Sequence, residues 1–302
     1  MSSQVRESNW GRWGEDDERG ALNLITPEVV LAGAGAVRRG KVYPLGLQID
    51  ATHAPIIDGR GEPRRLTLTS DSDNERYAEF GAAEGVGANQ DVLILASHHG
   101  THMDALSHVF AGSEMYNGFR SSTFKSFSGA GKLGIEKVGV VAGRGILLDV
   151  ARHVGVDVLP DGYCITGDEL QACAAEEGVD VRSGDIMLVR TGWLESWQRL
   201  SATGGEAGFG QPGLGLSAAE FVRDHEIAAV GADNGAVEVI PFDGDEFLSV
   251  HIQLLVKLGV HLFEHLSLGE LGSDGVHEFL FAACPLPMIG AAGSPINPVA
   301  IA

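Results

Sequence analysis

Histidines and one carboxylate crowd a short stretch in the first half of the chain, SHHGTHMDALSHVF at residues 97–110. Neutral imidazoles and carboxylates are ligands that Zn²⁺, Mn²⁺ and Fe²⁺ accept. We predict that His98, His102 and Asp104 bind one metal ion, because three protein ligands leave coordination positions open for water, as in catalytic sites. His108 lies four residues beyond Asp104 and is the predicted general base and acid.

The spacing of these residues requires the chain to fold back on itself. In an extended strand, His98 and His102 would lie about 13 Å apart, whereas donors to one ion lie only about 2 Å from it. A helix would place the two histidines on one face, but Gly100 and Thr101 disfavour a helix. Because glycine permits a tight turn, we predict that a buried strand over 91–97 enters a loop that gathers the ligands. A histidine-rich polar loop without metal is the alternative.

The same residues carry a resemblance to a known family. HHGTHMDALSH resembles the H-x-G-T-H-x-D-x-x-x-H signature of the cyclase family of metal-dependent hydrolases, which includes bacterial kynurenine formamidase and isatin hydrolase. Later blocks such as GADNGAVEVIP and CPLPMIGAAGSPINPVAIA extend the resemblance over most of the chain. It implies a swivelling β/β/α fold, an α/β architecture, as a single domain over 1–302. Residues 1–40 are then an N-terminal extension that packs on the domain or on a neighbouring subunit.

The resemblance also implies the metal content and the assembly. It matches the three predicted ligands and the predicted proton carrier, and it adds His251 and Glu264, which with Asp104 hold a second ion. One or two zinc or manganese ions and a homodimer or homotetramer are therefore expected. Leu106 stands where the kynurenine formamidase motif has proline. This departure and the greater length of the chain place it nearer isatin hydrolase.

The predicted reaction is hydrolysis of a C–N bond in a cyclic amide or an aryl formamide. Metal-bound hydroxide attacks the carbonyl, and His108 carries the proton. An esterase or lactonase that uses the same site is one alternative, and a non-catalytic small-molecule-binding protein of the same fold is another. Four aromatic side chains are predicted to line the substrate pocket, with ordinary core packing as their alternative: Trp13, Tyr116, Trp193 and Phe209.

Strands alternate with helices along the chain, which also indicates an α/β fold. Short apolar runs predict strands over 41–49, 91–97, 145–151, 185–193, 227–233, 260–266 and 278–286. Helices are predicted over 166–178, 217–226 and 249–259, the first two beginning with capping boxes at Thr166/Glu169 and Ser217/Glu220. The polar, glycine-rich region 51–90 is predicted to be a surface excursion near the site.

Composition limits the binding partners and the cellular compartment that we expect for this protein. The formal net charge of −20 argues against binding to nucleic acid or to an anionic membrane. No apolar run approaches the roughly 20 residues of a membrane helix, and the first residues do not resemble a secretory signal. The 3 cysteines are far apart and are predicted to be reduced. We therefore expect a cytoplasmic protein that acts on a small molecule.

Overall fold

A computed structural model describes residues 7–57, 59–205, 208 and 210–302. Its strands are β1 (Val42–Pro44), β2 (Arg64–Thr69), β3 (Gln90–Ile94), β4 (His102–Asp104), β5 (Phe124–Lys125), β6 (Gly129–Ala130), β7 (Val141–Asp149), β8 (Cys164–Ile165), β9 (Ile186–Arg190), β10 (Gly213–Leu214), β11 (Ala229–Ala232), β12 (His261–Glu264), β13 (Glu278–Ala283), β14 (Gly293–Pro295) and β15 (Val299–Ile301). Its helices are α1 (Pro27–Ala36), α2 (Asn74–Ala78), α3 (Val150–Val154), α4 (Gly167–Glu177), α5 (Trp193–Ala202), α6 (Leu216–Asp224), α7 (Ser249–His251) and α8 (Gly269–Ser273). Short 3-10 turns cover Gly20–Leu24, Asp71–Asp73, Tyr116–Gly118, Ser121–Thr123 and Ile135–Lys137.

Nine strands form one mixed sheet in the order β1-β15-β13-β7-β9-β11-β12-β4-β14. The neighbours β7, β9, β11 and β12 run parallel to one another, and antiparallel strands extend the sheet on both sides. The parallel strands are almost wholly buried, because other elements cover both of their faces. This arrangement confirms the predicted α/β fold.

The sheet separates two hydrophobic cores. Successive residues of a strand point to opposite faces, so Met187 packs into the core that holds α4 and α6, whereas Leu188 packs into the other. The same alternation divides Leu262 from Phe263 on β12. Helix α1 packs against β7 and β13. The site described below lies where β12 and β4 meet, near the end of the sheet that β14 forms.

The structure contains one of the two predicted capping boxes. Helix α4 has the predicted capping box at Thr166 and Glu169. Helix α6 does not, because it begins at Leu216 after Gly215 and has no side-chain cap. The hydroxyl of Ser217 instead accepts a hydrogen bond from the backbone N–H of Gly167 (3.2 Å), so it joins two helices rather than capping one. The second predicted capping box was therefore wrong.

The predicted helix over 249–259 is only partly α-helical. Helix α7 continues as a π-helix over Ile252–Leu258, which ends at Gly259 with a φ of 65°. The N-terminal segment covers this end: Asn9 and Trp10 donate hydrogen bonds to the carbonyls of Val256, Lys257 and Leu258. The last carbonyls of a helix otherwise need partners from outside. Residues near the start of the chain thus anchor the helix that carries His251.

The predicted buried strand before the histidine loop was wrong in its burial. Strand β3 is exposed along its length and pairs with β2 alone, in a separate two-stranded ribbon. The region 51–90 supplies that partner strand, so β3 never enters the main sheet. The predicted strand over 41–49 is also shorter, since only Val42–Pro44 pairs with β15. Among the described residues, no helix has both the length and the apolar character needed to cross a membrane.

Candidate metal centre

The histidine loop turns at Gly100, as its sequence predicts. Gly100 has a φ of +60°, a conformation that glycine adopts without steric cost. Its carbonyl accepts hydrogen bonds from Nδ1 of His102 (2.7 Å) and Nδ1 of His265 (3.2 Å). The hydroxyl of Thr101 donates to the carbonyl of His265 (2.6 Å). Because Nδ1 of His102 donates to a carbonyl, Nε2 is the ring nitrogen left for a metal ion.

Strand pairing then places the ligands face to face. On β4, His102 lies opposite Glu264 of β12, and Nε2 of His102 is 3.0 Å from Oε2 of Glu264. Oδ1 of Asp104 lies 3.3 Å from Nε2 of His98 and 3.7 Å from Nε2 of His102. Gly293 of β14 pairs with Asp104 on the other side, and a Cβ there would come within 2.6 Å of the His98 ring nitrogen. The absence of a side chain at Gly293 thus allows His98 its position.

The C-terminal half of the chain completes the cluster. Nε2 of His251 is 3.5 Å from Oε1 of Glu264 and 3.9 Å from Oδ2 of Asp104. Two groups therefore have donor atoms that all lie within 4.8 Å of one another, and Asp104 belongs to both: His98, Asp104 and His108, and Asp104, His251 and Glu264. The structure brings all six predicted residues, His102 included, into one cluster, in which His98 and His108 are half-buried and the other four are buried.

The donor atoms in this cluster fit a divalent metal ion. Nε2 of His98, Nε2 of His102 and both carboxylate oxygens of Asp104 are buried and make no hydrogen bond. Buried polar atoms normally have partners, because leaving them unpaired costs free energy. A cation bound among them would supply that partner. Imidazole nitrogens with carboxylate oxygens form a donor set that zinc and manganese both accept.

Burial and the charged neighbours together set the protonation of the cluster. Burial lowers the pKa of His98 to about 2, with the neighbouring rings of His108 and His102 acting in the same direction. Burial also lowers the pKa of His108, whose ring stacks on that of His98 with centroids 4.1 Å apart. Burial opposes the ionisation of Glu264, but His102 and His251 outweigh it and hold the pKa of this carboxyl well below its ordinary value. Against burial, hydrogen bonds to Glu238 and Glu264 raise the pKa of His251 to about 10, and Glu264 raises that of His102, so metal binding would release the protons of these two rings.

Glu238 is a functional candidate that the sequence analysis missed. Its side chain is fully buried, and Oε1 makes a short hydrogen bond with Nδ1 of His251. The backbone N–H groups of Val250 (3.1 Å) and His251 (3.3 Å) donate to the same carboxylate. Nε2 of His251 is thereby directed at Asp104 and Glu264. The sequence does carry a signal: Glu238 is a lone carboxylate in the apolar run AVEVI, where burial requires a partner.

Glu238→Gln is expected to weaken metal binding at the His251 position by about 10–100-fold, since residues that orient a ligating histidine commonly contribute that much. The amide keeps the size of the side chain but loses the charge that holds the imidazole N–H. Calorimetric titration of the metal-free protein with Zn²⁺ or Mn²⁺ measures the change. Glu169→Gln, in the capping box of α4, is the matched control and should leave the metal affinity unaltered. Wild-type affinity in Glu238→Gln would contradict the role of this residue.

The predicted pocket aromatics are scattered in the structure. The ring of Trp193 lies 6.2 Å from that of His265, which is 6.0 Å from the ring of His102. Tyr116 is fully buried in the core and donates a hydrogen bond to Asp17 (3.1 Å).

Trp13 is half-buried beneath the guanidinium of Arg12, at 4.8 Å. Within the described ranges, no hydrogen bond or ring contact joins Trp13 or Tyr116 to the metal cluster. Phe209 lies outside the described residues. Of the three predicted aromatics that lie in the described residues, Trp193 alone is linked to a candidate ligand by ring contacts, through His265.

A cavity of about 510 Å³ opens beside His108. Four serines, two phenylalanines and one arginine are among its lining residues: Ser107, His108, Phe110, Ser113, Met115, Arg120, Ser121, Ser122, Phe124 and Ala292. Its volume is that of a site for a small organic molecule. Apart from His108, these residues could not be predicted from the sequence, because the loop after His108 has no periodic pattern and its two phenylalanines resemble ordinary surface residues.

Known proteins resemble this chain over most of its length. A family model described as "Putative cyclase" matches residues 44–239. A solved structure described as a novel cyclase is 36% identical, with a TM-score of 0.85 over 98% of this chain and 97% of that chain. Isatin hydrolase A from Labrenzia aggregata, bound to benzyl benzoate, is 18% identical, with a TM-score of 0.62 over 88% and 94%.

A predicted metal-dependent hydrolase from Bacillus stearothermophilus is 21% identical, with a TM-score of 0.51 over 86% of this chain and 97% of that chain. At these low identities, the likeness to the two hydrolases concerns the fold. No curated protein is similar enough to match the chain.

Proposed function

The chain belongs to the cyclase family, and on that premise we propose that it is a metal-dependent hydrolase of a non-peptide C–N bond, in a cyclic amide or an aryl formamide. One observation carries the proposal: six convergent donor side chains, four of whose buried polar atoms have no hydrogen-bond partner. The likeness of the fold to structures named isatin hydrolase supports the class of substrate. We propose one or two ions of zinc or manganese.

The chemistry divides between the ion and the side chains around it. A bound divalent ion polarises a carbonyl and lowers the pKa of water towards neutrality. His98, His102, Asp104, His251 and Glu264 would hold it.

His108 has the task of moving the proton. Its ring stacks on the predicted ligand His98, and burial keeps it neutral near pH 7, so it accepts a proton from the attacking water. It then returns that proton to the departing nitrogen. An amine must be protonated to leave, so the second transfer matters most for amides. Asp104 and Glu264 would hold the ion, so their oxygens are not free to carry this proton.

The test is metal dependence with a defined panel of substrates. Elemental analysis of the purified protein should find zinc or manganese. Isatin, formanilide and a simple lactone are then assayed before chelation, after chelation, and after Zn²⁺ or Mn²⁺ is restored. We expect hydrolysis of at least one amide, its loss on chelation and its recovery with metal. A protein that holds no metal and hydrolyses none of the panel after metal addition would overturn the proposal, and turnover of the lactone alone would favour an esterase.

A further inference from the structure

We propose that the substrate carries a carboxylate, and that Arg120 binds it at the mouth of the cavity beside His108. This inference rests on the proposed function, because it names a chemical feature of the substrate that the same site hydrolyses. Three observations carry it: the charge of the cavity lining, the free donors of Arg120, and the exposed phenylalanine rings that line the same cavity.

The charge of the cavity lining is opposite to that of the chain. The protein has 41 acidic and 21 basic residues and a net charge of −20. None of the ten described residues that line the cavity is acidic, and Arg120 is the one among them with a permanent charge. Walls free of carboxylates allow that cation to attract an anion, which most of this acidic surface would repel.

Most N–H groups of the Arg120 guanidinium have no acceptor among the described residues. Its Nη1 lies 3.5 Å from Oε1 of Glu114, at the limit of a hydrogen bond, and the side chain is 63% exposed. The described residues accept no other hydrogen bond from this guanidinium. The backbone beneath it is held by pairing between Glu114 and Arg120 and by a hydrogen bond from Met115 to Phe119 (2.8 Å). The planar guanidinium of Arg120 has free N–H groups and lies on a loop held by hydrogen bonds. It can therefore bind a carboxylate through two parallel hydrogen bonds.

His108 and Ser107 line the same cavity as Arg120, and Ser107 is 4% exposed. A ligand whose scissile group meets the predicted general base while its carboxylate meets Arg120 therefore spans the lining from His108 to Arg120.

The apolar part of the lining indicates what joins those two ends. Phe110 and Phe124 line the same cavity and are 60% and 41% exposed, so their rings are available to cover a flat apolar body. A volume of about 510 Å³ accommodates a compound with a single aromatic ring. The ligand is thus a small aromatic amide with its scissile group at His108 and its carboxylate at Arg120.

Matched substrates test the proposal directly. The 3- and 4-formamidobenzoates carry the carboxylate, and the corresponding formamidobenzamides are neutral and of similar size. We expect the wild-type protein to favour the better carboxylate isomer over its amide partner by about tenfold in kcat/KM, mainly through KM, because charge-assisted hydrogen bonds to an exposed arginine contribute on that order. Raising the salt concentration should reduce this preference, since exposed charges are screened.

Substitutions assign the preference to one residue. Arg120→Gln should bring the carboxylate-to-amide ratio close to 1, and Arg120→Lys should retain part of the preference, because lysine keeps the charge but not the fork. Arg182→Gln removes an arginine of comparable exposure elsewhere and should keep the wild-type ratio. Absence of a preference in the wild-type protein, or an unchanged ratio in Arg120→Gln, would overturn the proposal.

Direct binding separates this proposal from the proposed function. If neither the formamidobenzoates nor the formamidobenzamides are hydrolysed, the proposed function fails for aryl formamides. Calorimetric titration with benzoate and benzamide then tests by itself whether Arg120 binds a carboxylate. In the metal-loaded protein, Arg120→Gln should raise the Kd of benzoate about tenfold more than that of benzamide. Contacts of benzoate with the metal are common to both proteins and cancel in the comparison. Equal binding of benzoate to wild type and Arg120→Gln would overturn the subsite, whatever the turnover shows.

Discussion

Asp104→Asn is expected to lower amide hydrolysis by about 10³-fold or more and to leave the protein without bound metal. Asp104 belongs to both groups of donor atoms, and its two oxygens are buried without any hydrogen bond. Asparagine offers one neutral oxygen in place of a charged pair. Polarisation by a metal ion contributes several kcal/mol to catalysis, and each 1.36 kcal/mol is worth about tenfold in rate. Elemental analysis and steady-state kinetics measure the two losses.

The same substitution has a distinctive effect on stability. Burial raises the pKa of Asp104, which means that the folded protein without metal pays to hold this group ionised. Asp104→Asn removes that cost, so metal-free Asp104→Asn should unfold at a temperature no lower than that of the metal-free wild type. The wild type should gain about 2.7 kcal/mol when metal is present at 100 times its Kd, and the variant should gain nothing.

A matched control separates metal loss from general damage. Asp185 is equally buried, but its carboxylate pairs with Arg144 through a 2.6 Å hydrogen bond away from the site. Burial raises the pKa of Asp185 as well, but Asp185→Asn would leave the buried charge of Arg144 without this partner. The substitution should therefore lower the unfolding temperature and retain the metal, which is the opposite pattern. If Asp104→Asn keeps a full complement of metal, or if its metal-free form is clearly destabilised, then Asp104 is a structural residue and not a ligand.

The parts of the site that follow from local sequence were predictable. His102 lies four positions after His98, which is too far along an extended strand for both to bind one ion, and Gly100 lies between them. The chain had to turn there, and Gly100 does so with a φ of +60°. The capping box at Thr166 was predictable for the same reason, because donor and acceptor lie three residues apart. The ligands distant in sequence, His251 and Glu264, required the family resemblance.

Features that depend on pairing between distant segments were not predictable. The apolar residues of β3 match those of a buried strand, but its partner β2 comes from the 51–90 excursion, and nothing local shows that the pair lies outside the main sheet. Glu238 meets His251 only because the chain between them loops back. Arg120 reaches the cavity through an irregular loop whose path is set by backbone hydrogen bonds such as that from Ser121 to Ser113 (3.0 Å). In each case the deciding contact joins segments that carry no common pattern.

His108→Ala should lower amide hydrolysis by about 10²–10⁴-fold, the usual contribution of a positioned general acid and base. Hydrolysis of an activated ester should fall much less, because an alkoxide or phenoxide departs without first being protonated. The comparison of formanilide with 4-nitrophenyl acetate under identical conditions measures this difference. His99→Ala is the matched control: His99 is also buried in the loop, but its ring contacts the carbonyl of Asp50 (3.2 Å) and is not one of the clustered donors.

Metal content decides between the two roles that the geometry allows His108. Its ring nitrogen lies within 4.8 Å of the donor atoms of His98 and Asp104, close enough for it to be a third ligand of that ion. A proton carrier can be removed without loss of metal, so His108→Ala should retain the wild-type metal content and lose amide turnover selectively. Loss of metal together with equal loss of amide and ester turnover would instead make His108 a ligand. The proton would then have to travel through another group, and among the described residues Ser107, which precedes His108 and has a buried hydroxyl without a hydrogen bond, would be the next to test.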